Sequence, residues 1–161
     1  MVIQIIISLF LIAALIIIYT IVQYIKKHKS KMSFKESLDL TNLPVVTFMN
    51  GDKKINFLLD TGSDASYINH SVLSNYNYSK SDYKTTFVGS SGEEVNSDSC
   101  YMNITYNDYL FAIELSIANL DDVLNMIKAR DGVNIHGILG SIFLQEHKYV
   151  LDFNSSIAYR K

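Results

Sequence analysis

Four residues that follow an apolar segment are the best suited to chemistry: Asp60, Thr61, Gly62 and Ser63. The preceding residues 55–59 predict a strand, so the Asp60 carboxylate would be held at a strand end and not on a mobile loop. Gly62 lets the backbone turn close to that carboxyl group, and the hydroxyls of Thr61 and Ser63 can hydrogen-bond to it or to neighbouring acceptors. A carboxylate held in this way can act as a general base toward water. The same four residues also suit an ordinary turn at a strand end, and the tetrapeptide alone does not separate the two interpretations.

Two later segments could complete a site around Asp60. Residues 87–92 have the sequence Phe-Val-Gly-Ser-Ser-Gly and are predicted to form a hairpin tip, because strand-like segments flank the glycines. Residues 134–144 have the sequence Asn-Ile-His-Gly-Ile-Leu-Gly-Ser-Ile-Phe-Leu, which predicts a short apolar strand leading into a helical turn. Taken in this order after residues 57–68, the segments make the sequence similar to the retropepsin-like aspartic proteases, single-lobe relatives of pepsin that include the retroviral proteases. The resemblance covers about residues 43–159.

The resemblance implies a mostly β fold, a closed barrel or β-sandwich with a flap hairpin and one or two short helices. It implies that Asp60, Thr61 and Gly62 are catalytic residues, with Asp60 supplying the carboxylate and Thr61 bonding to its counterpart across a dimer axis. Gly140 is expected to let the chain pass close behind Asp60. The residues that the resemblance assigns to substrate binding are Ser63, Val88, Gly89, Ser90, Ser91 and Gly92.

The resemblance also implies a homodimer. Aspartic proteases such as pepsin use two carboxylates that share one proton, since two like charges about 3 Å apart cannot both ionise. This sequence contains a single Asp-Thr-Gly, and residues 43–161 are too few to form two lobes. Asp60 of each subunit would therefore face its counterpart, and the dimer would be an aspartic endopeptidase that cleaves a protein or peptide substrate.

A second interpretation stays open, in which the domain is a non-catalytic, membrane-tethered module of the same fold that binds a peptide or protein partner. Two features depart from the family pattern. Ile142 stands where bacterial relatives often have Asp or Asn, and the helix predicted at residues 120–128 is longer than the retroviral proteases have there. Either departure could change the surroundings of the substrate cleft.

The N-terminal segment is almost entirely apolar. Of residues 1–25, 21 are apolar, and a helix of this length spans about 37 Å, enough to cross a bilayer core of about 30 Å. No basic residue precedes the apolar run and no cleavage site follows it, which disfavours a signal peptide. We therefore expect one N-terminal transmembrane helix. The four lysines between residues 26 and 31 predict that the rest of the chain faces the cytoplasm.

The remaining residues are predicted to form a basic, solvated juxtamembrane linker at 26–42 and one protease domain at 43–161. Residues 32–161 carry 10 Lys and Arg against 16 Asp and Glu, so their net charge is −6, which disfavours nucleic acid as a partner. The lone Cys100 cannot form a disulfide within the chain, in keeping with a reducing compartment. The four histidines and this cysteine lack metal-ligand spacing, so we expect neither a metal ion nor another cofactor.

Apolar periodicity predicts the elements that must position the site. An amphipathic helix is expected from residue 120 to a stop near Gly132, with a further helical turn or two within residues 141–147. An Asn50-Gly51 turn is expected to join the first two strands. The predicted strands are residues 45–49, 55–59, 84–88, 95–106, 109–117, 133–139, 149–153 and 157–159.

Overall fold

The computed structural model describes three parts of the chain, residues 10–22, 32–88 and 94–161. The chain divides into two units, Met1–Lys31 and Met32–Lys161. In the first unit, residues 10–22 lie in a helix, α1, whose apolar side chains are exposed. No helix within the described residues is both long and apolar enough to cross a membrane. The predicted span at residues 1–25 extends at both ends outside the described residues and stays a prediction.

The described residues of the second unit form nine strands and four further helices. The helices are α2 (Phe34–Thr41), α3 (His70–Leu73), α4 (Asp121–Asp131) and α5 (Ser141–Glu146). The strands are β1 (Val45–Asn50), β2 (Lys53–Leu59), β3 (Tyr67–Asn69), β4 (Ser79–Val88), β5 (Glu94–Tyr106), β6 (Tyr109–Ala118), β7 (Gly137–Leu139), β8 (Tyr149–Asp152) and β9 (Ile157–Arg160).

Six of the strands close into a barrel in the order β1-β2-β7-β3-β6-β5, and pairing of Met49 with Thr105 joins β1 to β5. β4 lies outside this ring and forms an antiparallel hairpin with β5. β8 and β9 form a separate two-stranded sheet. The prediction of a mostly β closed barrel with short helices is confirmed for this unit.

The barrel is mainly antiparallel, but β2 pairs in parallel with β7, and β3 pairs in parallel with β6. Parallel pairing requires a long crossover connection, so each of these contacts joins parts of the chain that are far apart in sequence. Leu59, at the end of β2, lies opposite Leu139 at the end of β7. This pairing brings the residues after both strands to the same place.

β1 is buried on both faces, so its side chains fill two separate clusters. On one face Phe48 packs edge-on against Phe57 and Phe111, with ring centroids 6.0 Å away in both cases, and against Phe143 at 6.3 Å. On the other face Val45 packs against the apolar side of α4. Burial of one phenylalanine side chain contributes about 1.5–3 kcal/mol, so these rings are a large part of the stability of the barrel.

The segment predicted to be a solvated linker, residues 26–42, is folded from Met32 onward. Ser33 and Glu36 form a capping box that starts α2, and Phe34 on that helix is only 2% exposed within the main core. The backbone of Met32 also exchanges hydrogen bonds with Thr47 of β1. The linker prediction was therefore wrong for this stretch, because one buried aromatic residue and a capping motif outweigh its polar composition. Residues 26–31 lie outside the described residues.

Three smaller differences concern turns and short strands. The β1–β2 turn consists of Gly51 and Asp52, one residue later than predicted, since Asn50 pairs with Lys53. Residues 67–73 form β3 and α3, which are too short to give a periodic pattern. β7 begins at Gly137, four residues later than predicted, and before it the side chain of Asn56 donates from Nδ2 to the carbonyl of Asn134 at 2.7 Å.

Candidate active site

Asp60 is the first residue after β2, and its backbone continues the pairing of the parallel strands. Its N–H donates a 2.9 Å hydrogen bond to the carbonyl of Leu139, the last residue of β7. The residue is half-buried, between the core and the exposed Thr61 and Gly62. The carboxylate is therefore fixed in depth by a strand and still open to solvent.

The turn after Asp60 holds the carboxylate in place. The N–H of Gly62 donates a 2.8 Å hydrogen bond to Asp60 Oδ1, and the N–H of Ser63 donates to the backbone carbonyl of Asp60 at 3.3 Å. These hydrogen bonds fix the orientation of the Asp60 side chain, whose carboxylate oxygens are proton acceptors. Asp60 and Gly62 thus lie together as the sequence predicted.

Ser63 supports the loop and not the carboxylate. Its hydroxyl donates a 2.8 Å hydrogen bond to the carbonyl of Ala65, and it is also bonded to the hydroxyl of Tyr67. Burial, with a smaller contribution from the charge of Asp64, raises the pKa of Tyr67, so this phenol stays protonated as a donor. Of the two partners that the sequence allows for the Ser63 hydroxyl, the carboxylate or a neighbouring acceptor, the single chain shows the second, and the bond stabilises the turn that follows.

Residues 140–142 brace the Asp60 loop from behind. The N–H groups of Ser141 and Ile142 donate to the carbonyls of Ser63 at 2.7 Å and Asp64 at 3.2 Å. The N–H of Gly140 donates to the Ser66 hydroxyl at 3.0 Å. A Cβ atom at Gly140 would lie 2.3 Å from the carbonyl oxygen of Ala65, so no larger residue fits without displacing the loop. The close approach expected of Gly140 is present, directly against this loop.

His136 supports β2 through two hydrogen bonds with the backbone of Asn56. Its Nδ1 accepts a 2.8 Å hydrogen bond from the backbone N–H of Asn56, and the backbone N–H of His136 donates to the carbonyl of Asn56 at 2.8 Å. Burial lowers the pKa of His136, and protonation of Nδ1 would remove this acceptor. Sequence reasoning missed this role, because a histidine without metal-ligand spacing carries no signal for a backbone contact.

Asn69 is a buried polar residue whose structural role the sequence did not indicate. Its side chain donates to Asp121 at 2.8 Å and accepts from the N–H of Leu120 at 3.1 Å, which ties the start of α4 to the end of β3. Hydrogen bonds from Asn69 and Ser71 lower the pKa of Asp121. This cluster positions α4 and does not contact Asp60.

The hairpin predicted as the flap is present in its strands. β4 and β5 pair as far as Val88 opposite Glu94. The predicted tip residues Gly89, Ser90, Ser91 and Gly92 lie outside the described residues, as does the side chain of Val88. Their contact with substrate stays a prediction.

Thr61, the residue after Asp60, lines an open groove of about 660 Å³. The rest of the groove comes from α5 and from the C-terminal segment around β8. Its apolar lining residues are Leu144, Tyr149, Val150, Leu151 and Phe153. Phe153 is 59% exposed, which leaves apolar surface uncovered next to the proposed catalytic residue. In the described parts of the chain, no three His, Cys, Asp or Glu side chains lie close enough to hold a metal ion.

Comparison with known proteins places this arrangement in context. The sequence profile of the family described as aspartyl protease matches residues 45–143, which include Asp60, the Gly140 segment and the hairpin. The chain is similar in structure to the EIAV protease complexed with the inhibitor HBY-793, with a TM-score of 0.48, 23% identity and coverage of 65% of this chain and 86% of that chain. A protein of unknown function from Legionella pneumophila is similar at a TM-score of 0.38 and 15% identity, with coverage of 63% and 84%. No curated protein matches the chain significantly.

Proposed function

Because the chain belongs to the aspartyl protease family, we propose that it is an aspartic endopeptidase whose catalytic group is Asp60. The observation that carries this proposal is the position of the carboxylate. It is held by the N–H of Gly62 at the end of β2, in a loop braced by residues 140–142, and it is only half-buried. An aspartate that served only to form a turn would not need bracing from a segment 80 residues away.

The reaction requires a second carboxylate, and we propose that it is Asp60 of a second copy of the chain. Two carboxyl groups about 3 Å apart share one proton, because both cannot be ionised at that distance. The ionised member takes a proton from a water molecule, and the oxygen of that water attacks the peptide carbonyl carbon. The protonated member donates a hydrogen bond to the carbonyl oxygen and so stabilises the charge that develops there.

The surroundings of Thr61 support a homodimer. The sequence contains one Asp-Thr-Gly, so a single chain supplies half of the pair. Thr61, the neighbour of Asp60 in the chain, lines an apolar groove, and we propose that the second copy covers it. Covering that groove would remove apolar surface from water at about 25 cal/mol per Å², which favours association.

We also propose that residues 1–25 hold the protease at a membrane, with the domain on the cytoplasmic side. The support is the apolar composition of this segment and the lysines that follow it. Confinement to a membrane would raise the effective concentration of the subunits and promote pairing. Alkaline carbonate extraction of cell membranes tests this proposal, since the full chain should stay in the pellet and a chain of residues 32–161 should not. Complete release of the full chain would contradict it.

The variant Asp60→Asn tests the proposed activity. We expect it to fold like the wild type and to lose cleavage of a denatured protein substrate by at least a thousandfold, because the amide cannot act as a base. Asp52→Asn is the matched control, since it removes the same charge in the turn at the opposite end of β2. The wild type and Asp52→Asn should also be inhibited by pepstatin and form dimers in sedimentation experiments. Wild-type cleavage by Asp60→Asn would overturn the proposal and favour the non-catalytic binding module.

A further inference from the structure

A cavity of about 240 Å³ lies against the Asp60 loop, on a different surface from the Thr61 groove. Ala65 and Ser66 form one wall, and they follow Asp60 by five and six residues in the same loop. β6 and α5 form the other walls. A peptide bound along the loop that carries Asp60 would pass this cavity at some distance from the bond to be cleaved.

Small and aliphatic side chains form much of the wall. Ala65, Ala112 and Ile142 line the cavity, and Ile142 is 51% exposed although it is a large apolar residue. An extended aliphatic chain placed here would cover this surface and gain from its burial.

Two carboxylates also line the cavity, those of Glu114 and Glu146. Glu114 Oε1 accepts a 3.0 Å hydrogen bond from the Ser99 hydroxyl, which holds its carboxylate in place on β6. Within the described part of the chain, neither glutamate forms an ion pair with lysine or arginine. The cavity therefore combines apolar walls with two carboxylates that have no lysine or arginine partner among the described residues.

Two basic groups lie near the cavity, His147 and Arg160, and in the described residues neither forms an ion pair with Glu114 or Glu146. His147 lines the cavity, but burial lowers its pKa, so the imidazole is neutral at pH 7. The guanidinium of Arg160 lies over the Tyr109 ring, 5.3 Å from its centroid, and Arg160 does not line the cavity. The net charge of −6 on residues 32–161 adds a field of the same sign.

We propose that this cavity is a substrate subsite that binds a lysine or arginine side chain, at a position away from the scissile bond. The methylene stem packs against Ala65, Ala112 and Ile142, and the cationic end reaches Glu114 and Glu146. The inference rests on the proposed function, because it assumes that a substrate peptide binds along the loop that carries Asp60. It adds a class of substrate, namely peptides that carry a lysine or arginine at a position other than the two residues joined by the cleaved bond.

Binding of synthetic peptides to the Asp60→Asn protein tests the subsite without turnover. The probes are fluorescent decapeptides that carry lysine, its uncharged analogue norleucine, or glutamate at one position at a time. We expect lysine to bind about fivefold more tightly than norleucine at one position away from the centre, the effect of a partly exposed charge pair. Glutamate at that position should bind more weakly than either.

Adding Glu114→Gln and Glu146→Gln should reduce the lysine preference to about one, whereas adding Asp52→Asn should leave it unchanged. Thermal unfolding of each variant shows that the proteins compared are folded. Equal affinity for lysine and norleucine at every position, no binding at all, or a preference that survives both substitutions would overturn the subsite. Cleavage of the same peptides by the wild type reports separately on the proposed function. Cleavage without lysine preference rejects the subsite alone, and lysine-dependent binding without cleavage rejects the endopeptidase alone.

Discussion

Gly140 sets how closely the two halves of the candidate site can approach. Its missing side chain lets the backbone at the start of α5 touch the carbonyl of Ala65, and the adjacent N–H groups then bond to the Asp60 loop. The need for glycine here comes from this contact and not from its backbone angles, since φ is −86°. Gly132, which ends α4 with φ of +73° in open space, is glycine for the opposite reason.

Replacement of Gly140 by alanine should destabilise the domain by about 3 kcal/mol and remove most of its proteolytic activity. The added methyl group would overlap Ala65 and force the Asp60 loop to move. Urea unfolding measures the first effect, and cleavage of a denatured protein measures the second.

Gly132→Ala is the matched control for this prediction. It should cost about 1–2 kcal/mol through backbone strain and leave activity unchanged, because no atom lies within 4 Å of the added methyl group. Equal losses of stability and of activity in the two variants would contradict the role given to Gly140.

Residue types alone predicted the Asp60 turn well, and they predicted its supporting contacts poorly. The sequence Asp-Thr-Gly-Ser after an apolar strand gave the position of the carboxylate and its bond from Gly62. The roles of Ser63 and His136 depend on which backbone atoms lie beside them in the barrel. Ser63 bonds to a carbonyl 2 residues away, and His136 bonds to an N–H 80 residues away. Residue type does not distinguish these partners, because every backbone carbonyl and N–H offers the same hydrogen-bonding group.

At the scale of elements, α2 is the part of the fold that composition concealed. The helix has polar residues on most positions, and its contribution depends on Phe34, which packs edge-on against Phe153 at 5.4 Å and lies in the main core. Long strands with clear alternation, such as β5 and β6, were predicted within about one residue at each end. The helix α2, which depends on one buried side chain, and the three-residue strand β3 were not predicted, since a periodic pattern needs several repeats.

Phe34→Ala should destabilise the protein by about 3–5 kcal/mol, the usual cost of removing a buried aromatic ring. Chemical denaturation followed by circular dichroism measures this loss. Leu40→Ala, on the same helix but 65% exposed, should stay within about 0.5 kcal/mol of the wild type. A small effect of Phe34→Ala would mean that residues 32–42 behave as the linker first expected.

At the scale of the whole molecule, two half-buried histidines set a lower limit on the pH at which the fold is most stable. Burial lowers the pKa of both His136 and His147 below the ordinary value of 6.5. The unfolded chain therefore binds more protons than the folded protein between that value and the lower folded pKa. Stability is fully present above pH 6.5 and decreases as the pH falls through this range.

The free energy of unfolding should therefore decrease from pH 7.5 to pH 5, and less steeply in His136→Asn. Asparagine can place an amide oxygen where Nδ1 accepts the Asn56 N–H, and it does not titrate. Urea unfolding at several pH values measures the slope of the unfolding free energy against pH. The variant should keep the part of this slope that is due to His147. Identical slopes in the two proteins would show that His136 does not contribute. If stability decreases in acid as expected, the proposed pair of Asp60 carboxyl groups, which shares one proton, has to work near neutral pH, where the barrel is most stable.

The bracing of the Asp60 loop by residues 140–142 has a consequence for the order in which the protein matures. These hydrogen bonds connect parts of the chain about 80 residues apart, and closing such a loop carries an entropic cost that slows folding. During synthesis, the Asp60 turn lacks these contacts until residues 140–142 have also been translated. A growing chain therefore carries an unbraced Asp60 carboxylate for the time that the ribosome needs to add about 80 further residues.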